Sequence, residues 1–369
     1  MQGPADSDTS YRYFKIGKHL ACLDQSILDI VKIIVLGYRR NNLSSISVSR
    51  SFGRAAIRAV IKDKLRLSSA SRIVELPAYG HIGMQVHRGC KVFDFDRQVV
   101  TKIFGPEADS QDAILEISAS KHASEVAAAP RFIAEDPDRA WYQEEYVCGV
   151  HATDAEYRDG VEIMDFYPDV EKCLLDLVAC KQPTYIDTIA HINGHADDSF
   201  RNRWLSAGQD AEKVDEIAEF VERLRAWLVN QPKPDRLQLV LTHGDFSLVN
   251  AIATSDGLRF IDWEGVASGG LYSDIFHFLF AEQYYGRASG DFLKEMSVFV
   301  DRYGEASQAR FPELRDAAEI DLTFARRQYY LERISLLVDR AVSANLCKVV
   351  CNSIALFRAF DHDAGDDAV

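Results

Sequence analysis

The sequence predicts an α+β protein in which a small antiparallel sheet precedes a mostly helical half. Short apolar runs broken by turn residues crowd between residues 71 and 147, and from about 150 onward apolar residues recur at helical spacing. The chain has 369 residues, 47% of them hydrophobic and 27% charged, which permits a substantial core in one or two domains. The expected boundaries are a helical N-terminal extension over 1–70, a strand-rich lobe over 71–147 and a helical lobe over 148–369.

In the leading segment, Ser26 to Tyr38 is strongly apolar, and Ser51 to Leu65 has helical spacing with basic residues outward. Those basic residues form either a solvated helix face or a surface for a protein partner. Strand signals follow in Ser71-Arg-Ile-Val-Glu-Leu76, Met84-Gln-Val-His-Arg-Gly89, Lys91-Val-Phe-Asp-Phe95 and Gln98-Val-Val-Thr-Lys102-Ile-Phe104. The turn over 94–97 is short enough for antiparallel neighbours. Gly105-Pro106 stops the last strand, a helix is expected from about 111 to 127, and Trp141 to Val147 is extended. Further helices are expected over 169–179, 210–230, 271–284, 291–302, 321–341 and 346–360. Pro168 sits where a helix can begin, and Pro232 and Pro234 close the second of these.

The formal net charge of -14 argues against non-specific binding to nucleic acid or to an anionic membrane surface. The polar start lacks the basic and apolar segments of a signal peptide. The apolar stretch 27–36 is too short for a span and is broken by Asp29 and Lys32, so no transmembrane segment is expected. Seven cysteines without framework spacing point to reduced thiols and a cytoplasmic location. Cys347 and Cys351, four apart on a helix, read as core thiols.

The chemistry gathers between 243 and 264. Leu-Thr-His243-Gly-Asp245-Phe-Ser-Leu-Val-Asn250 is followed by the turn Asp256-Gly257 and then by Arg-Phe-Ile261-Asp262-Trp-Glu264. Phosphoryl transfer needs a group that orients the attacking hydroxyl, and a hard cation to neutralise phosphate charge. Asp245, in a polar turn after the apolar run 237–241, suits the first task. Asn250 can offer an amide oxygen, and Asp262 a carboxylate, to Mg2+. Glu264 has three readings: metal support, substrate contact or an internal hydrogen bond. Each residue alone is equally a turn or cap residue; the ordered set points to phosphoryl transfer.

These residues resemble the aminoglycoside phosphotransferase and choline kinase group of kinase-like enzymes. His243-Gly244-Asp245, Asn250 and Ile261-Asp262-Trp263-Glu264 reproduce that group's pattern. The resemblance implies a protein-kinase-like two-lobed fold, with a nucleotide-binding N-lobe over 71–147 and a catalytic C-lobe. It implies ATP and Mg2+ as cofactors, Asp245 as the catalytic aspartate, and Asn250 and Asp262 as metal ligands. His243 would shape the catalytic loop, and Asp274 would clamp its backbone from a helix start. Lys102 matches the strand lysine that contacts phosphates, with Glu116 as its carboxylate partner and Glu125 as competitor. Backbone groups near Glu144 to Tyr146, Glu145 included, would read adenine. Gly80 and Gly83, between two strands, are the candidates for a phosphate-covering loop. Their spacing departs from the protein-kinase glycine loop.

The implied acceptor is a small hydroxylated molecule such as a sugar, an aminoglycoside or an amino alcohol. Trp263, Glu264, Tyr272, His277, Tyr284 and Tyr285 either surround an amine by cation–π contact or pack a helical core. The polar stretch 190–200 reads as an exposed acidic loop, since His191, His195, Asp197 and Asp198 match no strong metal spacing. Two other classes stay open: a catalytically weak kinase-like nucleotide-binding scaffold, and an atypical protein kinase.

Overall fold

An eight-stranded antiparallel sheet organises the first part of the chain. The computed structural model describes residues 10–16, 18–26, 50–65, 73–86, 88–105, 110–136, 138, 140–154, 161–195, 199–286, 292–339 and 344–363. Two compact units result, Met1–Val161 with Leu248–Gly265 and Glu162–Ser247 with Val266–Val369. The first is the α+β sheet unit and the second is mostly helical, the division into a strand-rich and a helical part anticipated above. Among the described residues no helix is long and apolar enough to cross a membrane.

In the first unit, β1 (Tyr11–Ile16), β2 (His19–Cys22), β3 (Ile73–Leu76), β4 (Ile82–Val86), β5 (Gly89–Asp94), β6 (Val99–Phe104), β7 (Phe132–Asp136) and β8 (Trp141–Glu145) run in the order β3-β1-β2-β4-β5-β6-β8-β7. This corrects the expectation of a mostly helical extension over 1–70. β1 and β2 form a hairpin inserted between β3 and β4. The physical reason is visible in Tyr-Arg-Tyr-Phe-Lys-Ile, where Tyr13 turns inward and its hydroxyl donates to Ala78 O at 2.9 Å and Gly80 O at 3.1 Å. Such a short alternation, interrupted by Gly17-Lys18, gives a weak strand signal unless a sheet edge is waiting to pair with it. The apolar stretch 26–38 lies outside the described residues, apart from Ser26.

Cross-strand register fixes which side chains share a face, because they alternate along each strand. Lys91 lies opposite Lys102, and Lys102 opposite Tyr142. Helices α1 (Arg50–Lys64) and α2 (Ser110–Ala123) both pack on this face. Ala56, Ala59 and Val60 of α1 cover Leu23, Ile82, Phe93 and Val100, so the apolar stripe of α1 is buried on its own sheet. Ala113 and Ile117 of α2 cover Phe104 and Tyr142. Tyr13, Leu20, Cys90, Val92 and Ile103 make a second core.

A further correction concerns the boundary at 147. β9 (Val150–His151) pairs with a strand a hundred residues later, Ile252 opposite His151. That long-range pairing draws 148–161 and the hairpin around Asp256-Gly257 into the sheet unit.

The hairpin just mentioned, in the first unit, is β12 (Ala251–Thr254) and β13 (Gly257–Phe260); in the second unit, β10 (Thr184–Asp187), β11 (Arg236–Thr242) and β14 (Ala267–Gly269) form a small sheet. The helices are α3 (Tyr167–Ala179), α4 (Thr188–Gly194), α5 (Ser199–Ser206), α6 (Ala211–Asn230), α7 (Ser273–Tyr284), α8 (Phe292–Arg310), α9 (Arg315–Ala318), α10 (Leu322–Val338) and α11 (Ala344–Asp363). Asp210 and Asp321 cap α6 and α10 by accepting backbone N–H bonds. Phe280 packs edge-on against Phe357 and Phe360, joining α7 to α11. Cys347 is buried and Cys351 partly so; none of the seven cysteines is in a disulfide.

Candidate active site

The sheet unit holds most of the residues singled out from the sequence. Lys102 on β6 is almost wholly buried, and its Nζ meets Glu116 Oε1 of α2 at 3.1 Å. The Tyr142 hydroxyl donates to the same oxygen at 3.2 Å. A buried ammonium survives only with such partners. The pairing is with Glu116 because α2 lies across the lysine's face of the sheet, one turn and a half into the helix.

A cavity of about 280 Å³ in this unit is lined by Met84, Lys91, Glu144, Tyr146, Asn250 and Asp262 among others. Asn250 ends the 3-10 turn Leu248–Asn250, and its carbonyl accepts the N–H of Ile261 at 2.8 Å, which ties the two metal candidates' segments together. Asp262 sits at φ 67°, in the left-handed region that Asp tolerates better than most side chains. Its Oδ1 is ion-paired with Lys91, a residue the sequence reading passed over. The strand register supplies the signal that was missed: Lys91 stands opposite Lys102, on the same face. Asn250 and Asp262 are hard oxygen donors on one cavity wall, and a cation already faces Asp262. These residues fit a magnesium ion.

Glu144, also missed as a side chain, is buried in that wall. Burial pushes its carboxyl up to about 7, with Lys91 opposing the rise. Glu145 and Tyr146 line the cavity too. Their N–H groups donate to Arg131 O and Gln98 O at 2.9 Å each, so these two are committed within the protein. Glu145 is also ion-paired with Arg259 at 3.0 Å.

Gly80 and Gly83 do not form a covering loop. Gly83 lies inside β4, and Gly80 just precedes it. A Cβ on Gly80 would meet Val92 Cγ1 at 2.3 Å, and one on Gly83 would meet Leu20 at 3.0 Å. Both glycines allow close strand packing. β4 and β5 pair up to Val86 and Gly89, and a Cβ on Gly89 would lie 2.0 Å from Ile103 O.

The helical unit carries Asp245. Gly244, at φ 79°, turns the chain so that the N–H groups of His243 and Gly244 both donate to Asp274, at 2.6 and 3.0 Å. Asp274 is buried in the first turn of α7. His243 is fully buried against Phe246, and its Nδ1 accepts the Asp245 N–H at 3.3 Å.

The carboxylate of Asp245 is half-exposed. His277 Nε2 lies 3.1 Å and Arg333 3.2 Å from its Oδ1. Burial would raise this carboxyl; the hydrogen bond from His277 and the charge of Arg333 outweigh it and hold it far below its usual range. Burial in turn lowers His277 to about 4, so the ring is neutral at pH 7. It therefore donates from Nε2 to Asp245 and accepts the Tyr329 hydroxyl at Nδ1, 2.9 Å away. Arg333 carried no local sequence signal, whereas His277 falls one helical turn after Asp274.

The aromatic wall envisaged for an acceptor does not form as a set. Tyr272 is core, its hydroxyl donating to Ala318 O at 2.8 Å, and Trp263 is buried with its Nε1 donating to Phe260 O at 2.6 Å. Tyr284 and Tyr285 are exposed. The Glu264 side chain, Asp197 and Asp198 lie outside the described residues.

The model of the phosphotransferase enzyme family matches residues 93–318. Among solved structures, a choline kinase from Cryptosporidium parvum is 15% identical, covering 72% of this chain and 82% of its own, with a TM-score of 0.48. An ethanolamine kinase from Plasmodium vivax is 13% identical, with coverages of 73% and 80% and a TM-score of 0.49. The ADP-bound aminoglycoside phosphotransferase APH(2'')-Ib is 18% identical, with coverages of 75% and 91% and a TM-score of 0.44. No match was found among curated proteins. The family match alone spans more than half of the chain and includes Asp245, Asn250 and Asp262, and on that ground the chain belongs to the phosphotransferase enzyme family.

Proposed function

We propose that the chain moves the terminal phosphoryl group of ATP to a hydroxyl of a small molecule. The observation that carries this reading is the cavity wall of Asn250, Asp262 and Lys91 in the sheet unit. A magnesium ion held there by Asn250 and Asp262 would supply charge neutralisation at the phosphates. Lys102, fixed by Glu116, offers a second positive charge on the same face as Lys91. The apolar part of the wall, with Met84, Phe93 and Val100, suits a flat base.

Asp245 is the group that orients the acceptor. Held ionised by His277 and Arg333, its carboxylate accepts a hydrogen bond from the hydroxyl and takes the proton as the new P–O bond forms and the bond from the terminal phosphorus to the bridging oxygen breaks, releasing ADP. His277 turns no lone pair toward that proton, because its Nε2 donates to Asp245 and its Nδ1 accepts from Tyr329. Asp274 keeps the backbone of the loop rigid by holding two of its N–H groups.

The test is an ATP-consumption screen across amino alcohols, aminoglycosides and sugars, followed by location of the phosphate on the product. Asp245→Ala should leave nucleotide affinity near wild type while turnover falls by roughly 10³-fold or more. Asp262→Ala should also weaken metal-dependent nucleotide binding. Normal transfer rates in both variants would refute these roles.

A further inference from the structure

The helical unit contains a second cluster of ligand-type side chains, made of residues other than those assigned above to phosphoryl transfer. His191 and His195 stand one turn apart at the end of α4, and Glu332 of α10 reaches them from 137 residues further along the chain. The stretch 190–200, expected as an exposed acidic loop, instead places His191 inside α4 and His195 at its end, and Glu332 carries no sequence signal because its spacing from them is entirely tertiary. His191 Nε2 lies 2.9 Å from Glu332 Oε1 and 3.3 Å from His195 Nε2. The three ligand atoms all fall within 4.8 Å of one another.

Protons alone serve this arrangement poorly. If His191 Nε2 carries hydrogen and donates to Glu332, that hydrogen leaves no lone pair for His195. If His195 donates to His191 instead, the bare His191 nitrogen faces a carboxylate lone pair to lone pair. A cation shared by all three satisfies each atom. Donors about 2.0–2.1 Å from a tetrahedral zinc ion lie about 3.3 Å from one another, which is the spacing of the two imidazole nitrogens.

The Glu332 carboxylate and the backbone of α4 are held in place by neighbouring groups. Gln328 Nε2 donates to Glu332 Oε1 at 2.7 Å and Ser273 Oγ to its other oxygen at 3.1 Å. The Asp187 side chain caps α4 by accepting from Ala190 N at 2.8 Å, and Thr188 N donates to Asp235 O at 3.0 Å. Arg225 donates to the carbonyl of His195. The two imidazole rings stand edge to face at 88° rather than stacked, with their Nε2 atoms 3.3 Å apart.

We propose that His191, His195 and Glu332 form a binding site for a zinc-class divalent ion, with two nitrogen donors, one carboxylate and a position left for water. Two imidazoles select zinc, cobalt or nickel over magnesium. The site joins α4 to α10 and, through Ser273, to the start of α7. Glu332 precedes Arg333 and Ser273 precedes Asp274, so the bound ion would brace both elements that hold the Asp245 loop.

The experiment uses the full chain stripped with a chelator and titrated with Zn2+ or Co2+ in the presence of excess Mg2+. One equivalent of Zn2+ should bind, and Co2+ should give the intense visible bands of a tetrahedral site with nitrogen and oxygen donors. Zn2+ should raise the melting temperature of the wild type. His195→Ala should lower affinity by at least about tenfold and abolish that rise. Glu332→Gln, which keeps the shape, should do the same and guards against a simple loss of folding. Absence of stoichiometric uptake, equal affinity in both variants, or a sulfur-to-cobalt charge-transfer band would overturn the proposal. The last would place the ion on cysteine instead.

Discussion

Lys91 and Asp262 are ion-paired across the cavity wall of the sheet unit, one from the middle of β5 and the other from the left-handed turn after β13. The carboxylate assigned to magnesium therefore already has a cation at Oδ1. Any metal that binds must compete with it. Lys91→Met should lower the Mg2+ concentration needed for half-maximal ATP binding by about fivefold, the equivalent of about 1 kcal/mol for a partly solvated pair. A magnesium titration followed by nucleotide fluorescence reads this directly. An unchanged midpoint would mean that the pair yields no hold on the site.

Arg333 acts on Asp245 through charge. Burial works against ionisation of Asp245, and the His277 hydrogen bond with the Arg333 charge depresses its pKa. A depressed carboxyl contributes above its unfolded value of 3.8, and the contribution is lost only as pH falls through the lower folded value. The wild type should accordingly show no acid limb in kcat between pH 5 and 8. Arg333→Met removes one of the influences that hold Asp245 ionised and should move the acid limb upward, so that kcat falls further at pH 5 than at pH 8. A parallel loss at both values would assign Arg333 a packing role instead.

The parts of this protein that were legible in sequence are those where local spacing and tertiary position coincide. Asp245, Asn250 and Asp262 lie within eighteen residues, and the strands 99–104 and 141–145 announce themselves as short runs rich in β-branched or aromatic residues that stop at Gly105-Pro106 and before Gly149. What escaped notice depends on pairing at a distance. The β1–β2 hairpin is a strand pair because β3 and β4 receive it. Gly80 and Gly83 looked like loop glycines, and only the facing Val92 and Leu20 explain them. Arg333 and Glu332 are ordinary helix residues until α10 is laid beside the Asp245 loop and α4.

Lys102 and Glu116 form a pair whose two members are both buried. Removing one charge strands the other in a medium that cannot solvate it, at a cost of about 3–5 kcal/mol. Glu116→Ala should lower the urea midpoint of the sheet unit by that equivalent. Lys102→Met combined with Glu116→Leu should recover most of the loss while abolishing transfer. Equal destabilisation in the single and double variants would show that packing, and not charge, sets the cost.

Glu144 lends the sheet unit a pH dependence of opposite sign to that of Asp245. Burial raises its carboxyl from 4.5 to about 7, so the native state holds a proton that the unfolded chain releases. Its contribution is complete below about pH 4.5 and is lost as pH climbs through about 7. The loss is on the order of 3 kcal/mol. Asp274 is raised as well, but its partners are the N–H groups of His243 and Gly244 in the other unit. Comparing Glu144→Gln with wild type removes that shared background. Urea unfolding at a series of pH values should show a shallower decline from pH 5 to 8 in the variant, with the two curves furthest apart at pH 8. Parallel curves would mean that Glu144 stays ionised when folded, its charge balanced by Lys91 and Lys102.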